Sequence, residues 1–232
     1  MILKKWDDIP EKLKNDKVKE YYDLLNKKKI QLILKRFFDI VVSGIMLIIL
    51  SPVFLILAIA IKMDSKGPVF YRQKRITQYG RAFYIFKFRT MIYNADKVGT
   101  LVTIGKDPRI TKVGNKIRKC RLDEIPQLIN IFLGDMSFVG TRPEVEKYVE
   151  YYTDEMKATL LLKAGVTSTA SIEYKDEDDI ILKYLKKGEK IDNIYTKYVL
   201  PQKMLWNLKD IKEFSILKDL KIEFRTIVAV LK

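Results

Sequence analysis

The chain has no histidine and a single cysteine, Cys120. The first absence excludes every triad built on an imidazole base, and the two together remove nearly all zinc and transition-metal sites. A lone cysteine cannot close a disulfide within the chain, which points to a reducing compartment. If the protein is an enzyme, its nucleophile and bases must be carboxylates, hydroxyls or lysines. Any metal should be a hard cation held by oxygen, most simply Mg²⁺. Internal repeats and low-complexity tracts are also missing.

What is present is a chain of 232 residues, 48% hydrophobic, with a formal net charge of +15. That length suits one domain of ordinary size with small appendages, and the apolar content is enough for a real core. So large a positive charge seeks nucleic acid, an anionic membrane surface or a phosphorylated substrate. No nucleic-acid-binding motif occurs, so nucleic acid is not an expected partner.

The longest apolar segment is "FFDIVVSGIMLIILSPVFLILAIAIK", and no charged residue falls between Ile40 and Ile61. A run of about 22 residues is long enough to cross a bilayer. It is apolar all round, unlike the one-sided helix of a soluble domain. Ser51 and Pro52 interrupt it. Pro52 removes a backbone hydrogen bond and kinks a helix, and Ser51 can satisfy a freed backbone group. Both flanks are basic, with Lys35 and Arg36 before and Lys62, Lys66, Arg72, Lys74 and Arg75 after. Both ends therefore favour the cytoplasmic face. A helix that enters, breaks at Ser51-Pro52 and returns satisfies this, and a kinked span remains the alternative.

Elsewhere, residues 1 to 33 mix lysine, glutamate and apolar positions at helical spacing, and the lysines at 27 to 29 suit either lipid headgroups or a solvated face. Val69 to Tyr71 and Phe83 to Phe86 flank a turn near Gly80 and read as a β-hairpin. Lys87 and Arg89 follow, two apart, and on a strand they share a face. One helix is expected from about Thr111 to Lys119, and a second from Asp123 to Leu133, stopped by Gly134. "SFVGTRPE" reads as a loop presenting Arg142, and Gly165 to Tyr174 as loop and extended chain. The acidic run at 175 to 179 caps a helix ending near Leu185. Pro201 to Lys232 reads as two helices, the last amphipathic and suited to the membrane interface or to the domain.

"CRLDEIPQL" carries the chemistry-bearing pair Asp123 and Glu124. By itself it is a good helix start, with an N-cap aspartate and a first-turn proline. Its surroundings favour chemistry. A helix N-terminus keeps a carboxylate ionised and attracts phosphate. Lys87, Arg89, Arg118 and Arg142 are candidate phosphate ligands. Adjacent carboxylates can hold Mg²⁺, and a carboxylate can attack phosphorus. Beside a membrane, this set suits phosphoryl transfer to or from a lipid.

"GPVFYRQKR", "FKFRTM", "DPRITKVGNKIRKCRLDEIPQLINIFLGDMSFVGTRPE" and the Ser-Pro-broken helix resemble the bacterial sugar transferases, the monotopic polyprenyl-phosphate phosphoglycosyl transferases. The resemblance covers about residues 34 to 175. It implies an α+β, helix-rich fold with a re-entrant membrane helix broken at Ser51-Pro52, a small β-hairpin and amphipathic interfacial helices. The implied layout is a polar extension over 1–33, the membrane helix over 34–66 and a cytoplasmic catalytic domain over 67–232, on the cytoplasmic face of the inner membrane. It is the layout of the small type, without the large membrane domain of longer relatives.

The same resemblance implies that Asp123 attacks the β-phosphorus of a UDP-sugar, releasing UMP and forming an aspartyl-phosphosugar. Polyprenyl phosphate then accepts the phosphosugar, in the first membrane step of a surface glycan pathway. Glu124 completes the dyad and with Asp123 holds Mg²⁺. Arg118 and Arg142 lie near the phosphates. A second copy or pathway glycosyltransferases are further expected partners. Two departures stand out: Thr141 replaces a proline in "GTRP", and "KAGVTSTASIEYKDED" from Lys163 departs from the usual pattern where sugar or nucleotide is contacted. The competing reading is a membrane-tethered basic binding or scaffold protein without catalysis.

Overall fold

The computed structural model describes residues 3–95, 107–174 and 177–231. The first long helix, α1 (Asp16–Asn26), is capped by Asn15, whose side chain accepts from the Val18 N–H. Val18, Tyr21, Tyr22 and Leu25 recur at helical spacing and are all buried. With Leu3, Ile9, Leu13 and Leu32 they join the largest core cluster, opposite Leu160, Leu161, Val199 and Met204. The N-terminal segment is thus bolted into the globular body on one side.

Helix α2 (Lys29–Ile49) runs directly into α3 (Ser51–Asp64), and the two are bent by 60°. They meet at Leu50, whose φ of −86° and ψ of 1° leave the helical range. Pro52 has no N–H to give the Ile48 carbonyl, and the Ser51 hydroxyl donates to it instead at 2.8 Å. Around the bend Ile45, Ile48, Ile49, Leu55, Ile56 and Ile59 are exposed. Among the described residues no single helix is long and apolar enough to cross a membrane; the bent pair reaches that length only together.

The expected hairpin is present: β1 (Phe70–Ile76) and β2 (Ala82–Phe88) pair antiparallel, from Phe70 opposite Phe88 to Ile76 opposite Ala82. Tyr79 and Gly80 take left-handed conformations in the turn. Helix α4 (Lys112–Lys119) begins where Thr111 accepts from the Gly114 N–H. A side chain at position 114 would strike the Thr90 backbone, so glycine is required there.

The helix expected from Asp123 starts later. Arg121 turns the chain in a left-handed conformation, Leu122–Glu124 form a single 3₁₀ turn, and α5 spans Gln127–Leu133 with Pro126 as its N-cap. Proline at this position cannot donate inward, so it suits the boundary. Gly134, at φ 91°, ends α5 as expected.

"SFVG" is not a simple loop. β3 (Met136–Val139) pairs in parallel with β4 (Ala164–Thr167), from Met136 opposite Ala164 to Val139 opposite Thr167. Between them lie α6 (Glu146–Val149) and a 3₁₀ turn at Met156–Leu161. The segment after β4 becomes α7 (Thr169–Glu173), where extended chain was expected. Long-range pairing of two short segments leaves little local trace, which is why the second sheet escapes a reading of the chain alone. The acidic cap at 175 to 179 lies partly outside the described residues; α8 (Glu177–Leu185) begins within it.

α9 (Ile191–Ile194) continues through a π turn into α10 (Leu200–Lys212), and α11 (Ile216–Leu231) closes the fold. α11 packs against the domain by one face, as one of its two expected placements requires, and leaves another apolar face exposed. Ile222 is buried against Val139 and Ile172, while Leu217, Phe224 and Ile227 face outward.

Candidate active site

β2, the turn before α5 and the loop after β3 bring the charged residues together. Glu124 lies at their centre with 14% of its side chain exposed. Lys87 Nζ donates to Glu124 Oε1 at 2.7 Å. The Arg142 guanidinium donates to the same oxygen through Nη2 and reaches Oε2 through Nη1 at 3.5 Å. Burial would raise the Glu124 carboxyl, but Arg142 and Lys87 outweigh it and hold it well below the usual range. Glu124 is therefore ionised at any physiological pH, and its charge holds Arg142 as a cation.

Asp123 is in a different position. Its carboxylate is half-buried and accepts no hydrogen bond from another residue among those described. Burial pushes it above the ordinary carboxylate value; Lys87 and Arg118 oppose the rise, and Glu124 adds to it. The side chain of Arg118, on α4, has no hydrogen-bond or ion-pair partner among the described residues and is near enough to stabilise the Asp123 charge. The dyad thus contains one carboxylate committed to two cations and one uncommitted carboxylate.

The site rests on several devices. Asn130, fully buried in α5, accepts from the Phe86 N–H at 2.9 Å and donates to the Tyr84 carbonyl at 2.8 Å. This ties β2, and so Lys87, to the helix behind the dyad. Its signal in the sequence is a polar residue inside the apolar "LINIFL". The "GTRPE" loop is pinned from both sides: Arg75 Nη1 donates to the Pro143 carbonyl at 3.1 Å and Gly165 N to the Thr141 carbonyl at 2.9 Å. Tyr195 donates its hydroxyl to the buried Glu144 at 2.5 Å. A Cβ on Gly165 would lie 2.1 Å from Gly140 N, so the two strands meet there only because both residues are glycine. Arg75, Glu144 and Tyr195 were not legible as part of this scaffold, because their partners are far away in the chain.

Lys87, Arg118, Arg142, Asp123 and Glu124 therefore share one site. Arg89 does not join it. It falls just past the end of β2, and its guanidinium is buried, donating to the Lys66 carbonyl at 2.6 Å and to the Ser65 carbonyl and hydroxyl at 2.7 and 3.0 Å. The strand's alternation stops at Phe88, so the expected shared face with Lys87 is not kept. Arg89 instead anchors the end of α3. Ser51 and Pro52 lie at the bend of the apolar pair, apart from the charged cluster.

The sequence model of the family described as "Bacterial sugar transferase" matches residues 30–232. The chain belongs to this family. Among curated relatives of this bacterial sugar transferase, a UDP-glucose:undecaprenyl-phosphate glucose-1-phosphate transferase from Escherichia coli (strain K12) is 38% identical over 200 residues, covering 84% of this chain and 39% of the relative. A UDP-N-acetylgalactosamine-undecaprenyl-phosphate N-acetylgalactosaminephosphotransferase from Aeromonas hydrophila is 33% identical, covering 85% of this chain and 44% of the relative. The exopolysaccharide production protein ExoY of Sinorhizobium fredii is 33% identical over 211 residues, with 84% of both chains covered. The chain thus spans about two fifths of the length of the first of these relatives and most of the length of the third.

Proposed function

We propose that this bacterial sugar transferase moves a sugar 1-phosphate from a UDP-sugar to polyprenyl phosphate at the cytoplasmic face of the inner membrane. The observation that carries the reading is the contrast within the dyad: Glu124 is clamped by Lys87 and Arg142, whereas Asp123 is half-buried and accepts no hydrogen bond from another of the described residues. An uncommitted carboxylate in a cationic site is suited to attack phosphorus. Two of the relatives, those from Escherichia coli and Aeromonas hydrophila, are named as transferases to undecaprenyl phosphate, which supports the substrate classes.

In the first step an Asp123 oxygen bonds to the β-phosphorus of the UDP-sugar. The bond from that phosphorus to the bridging oxygen breaks, and UMP leaves with the electron pair. In the second step a phosphate oxygen of the polyprenyl phosphate attacks the same phosphorus. The Asp123 carboxylate departs, leaving polyprenyl-diphosphosugar. Arg118 and Arg142 offer charge to the phosphate oxygens, and Lys87 holds Glu124 in register beside the nucleophile.

The donor set fits Mg²⁺, which needs only one or two carboxylates when substrate phosphates complete its shell. Asp123 and the Oε2 side of Glu124 would hold it, and when bound it would neutralise diphosphate charge. The α2–α3 pair is read as re-entrant: it is bent by 60°, its apex is apolar and exposed, and both its flanks are basic. The outward apolar residues of α11 would lie at the same interface.

The test is nucleotide release from a panel of UDP-sugars with undecaprenyl phosphate, with and without Mg²⁺. UMP is expected, with loss of at least about 10³-fold in Asp123→Asn while the chain stays folded and membrane-bound. Release of UDP would overturn the reading in favour of an ordinary glycosyl transfer.

A further inference from the structure

The C-terminal end of α5 forms a cationic corner that the transfer chemistry does not use. Arg36, which precedes the uncharged run of α2, donates to the Ile131 carbonyl at 2.6 Å and to the Phe132 carbonyl at 2.9 Å. It thereby caps the open end of α5. Lys163, just ahead of β4, approaches from the other side. A Cβ placed on Gly134 would lie 2.9 Å from Arg36 Nη2 and 2.9 Å from Lys163 Nζ, so both cationic groups converge on one point.

Lys163 makes no ion pair among the described residues, although Asp39 and Asp135 are near enough to attract it. Its ammonium donates to no acceptor among the described residues. The nearby carboxylates do not bond to it: Asp135 receives Arg81 at 2.7 Å, and Asp39 accepts through Oδ1 from Ser137 Oγ at 3.1 Å and from the Phe138 N–H at 3.2 Å, its Oδ2 making no hydrogen bond among the described residues. Burial and then Arg36 push Lys163 down to about 8. A half-buried ammonium beside a second cation, with no acceptor among the described residues, keeps its donors free for an anion.

The same corner has an apolar side. Phe132 and Leu133 are 46% and 65% exposed. The Phe132 ring packs over Gly44 of α2, 3.3 Å from where a Cβ would be, so this apolar surface continues into the outer face of the α2–α3 pair. Cations beside an apolar surface, at the start of an apolar helix, match a lipid headgroup with its chains alongside.

We propose that Arg36 and Lys163 seat the phosphate of an anionic glycerophospholipid, with Phe132 and Leu133 against its acyl chains. This rests on the proposed membrane insertion of α2–α3. The seat is at the opposite end of the seven-residue α5 from Asp123, about 10 Å along the helix.

The test uses the full chain in nanodiscs of mixed phosphatidylglycerol and phosphatidylcholine, with retained lipid read by native mass spectrometry. Phosphatidylglycerol should be retained in preference. Lys163→Gln should lower that preference by about fivefold, the loss of one interfacial charge, and Lys163→Arg should preserve it. Inorganic phosphate should not displace the lipid. Equal retention of the two lipids, an unchanged preference in Lys163→Gln, or displacement by inorganic phosphate would each overturn the proposal. Flotation with pure phosphatidylcholine vesicles separates the two readings. A chain that floats but shows no lipid preference defeats the headgroup seat alone; a chain that floats with no vesicle defeats membrane insertion and the seat with it.

Discussion

Lys87 Nζ and Glu124 Oε1 lie 2.7 Å apart, joining a strand of the hairpin to the turn that carries the dyad. Burial lowers the Lys87 ammonium below its ordinary 10.5, and Glu124 opposes the fall. Burial raises Asp123 above its ordinary 3.8, and Glu124 adds to the rise. Both shifts draw the working pH range inward from its two sides.

A pH profile of UMP release should therefore be bell-shaped. Protonated Asp123 cannot attack, so rate should fall on acidification at a pH above 3.8. Deprotonated Lys87 cannot hold Glu124, so rate should fall on the alkaline side below 10.5. Glu124 stays charged throughout and adds no limb. In Glu124→Gln the residual activity should show its acid limb at lower pH, because a negative neighbour of Asp123 is gone. An acid limb shifted upward would contradict this account.

Asn130→Leu should unsettle the site from behind. It leaves the Phe86 N–H and the Tyr84 carbonyl without their side-chain partner, at a cost of about 1–3 kcal/mol. Phe86 is the immediate neighbour of Lys87, so the rate should fall along with the stability. Denaturant titration and initial rates on the same sample check both. Full stability with reduced rate would place the effect elsewhere.

The proposed re-entry of the α2–α3 pair has a direct topological test. Lys29 and Lys66 are exposed and flank the α2–α3 pair. Cysteines placed at these positions, in a chain whose exposed Cys120 is replaced by serine, should react with an impermeant maleimide from the same side of the membrane. Reaction from opposite sides would mean that the pair spans.

Local features were legible in the residues. Gly134 stops α5, the apolar and aromatic runs around Gly80 form the hairpin, and the bend sits beside Ser51-Pro52. Each depends on the conformational limits of one or two residues and their neighbours. The acidic pair and its arginines were also legible as a charged site, because glutamate, lysine and arginine at such density require partners.

Destinations were not. Lys87 and Arg89 look alike in "KFR", but one reaches Glu124 and the other the carbonyls of Ser65 and Lys66. The parallel pairing of β3 with β4, the bridge of Asn130 to β2 and the Tyr195–Glu144 contact all join residues remote in the chain. The residues by themselves determined which groups could do chemistry and where the chain had to turn, since those follow from side-chain type and backbone sterics. Only the tertiary structure decided that Glu124 is the clamped carboxylate and Asp123 the uncommitted one, because that distinction depends on where distant cations come to rest and how much water they exclude.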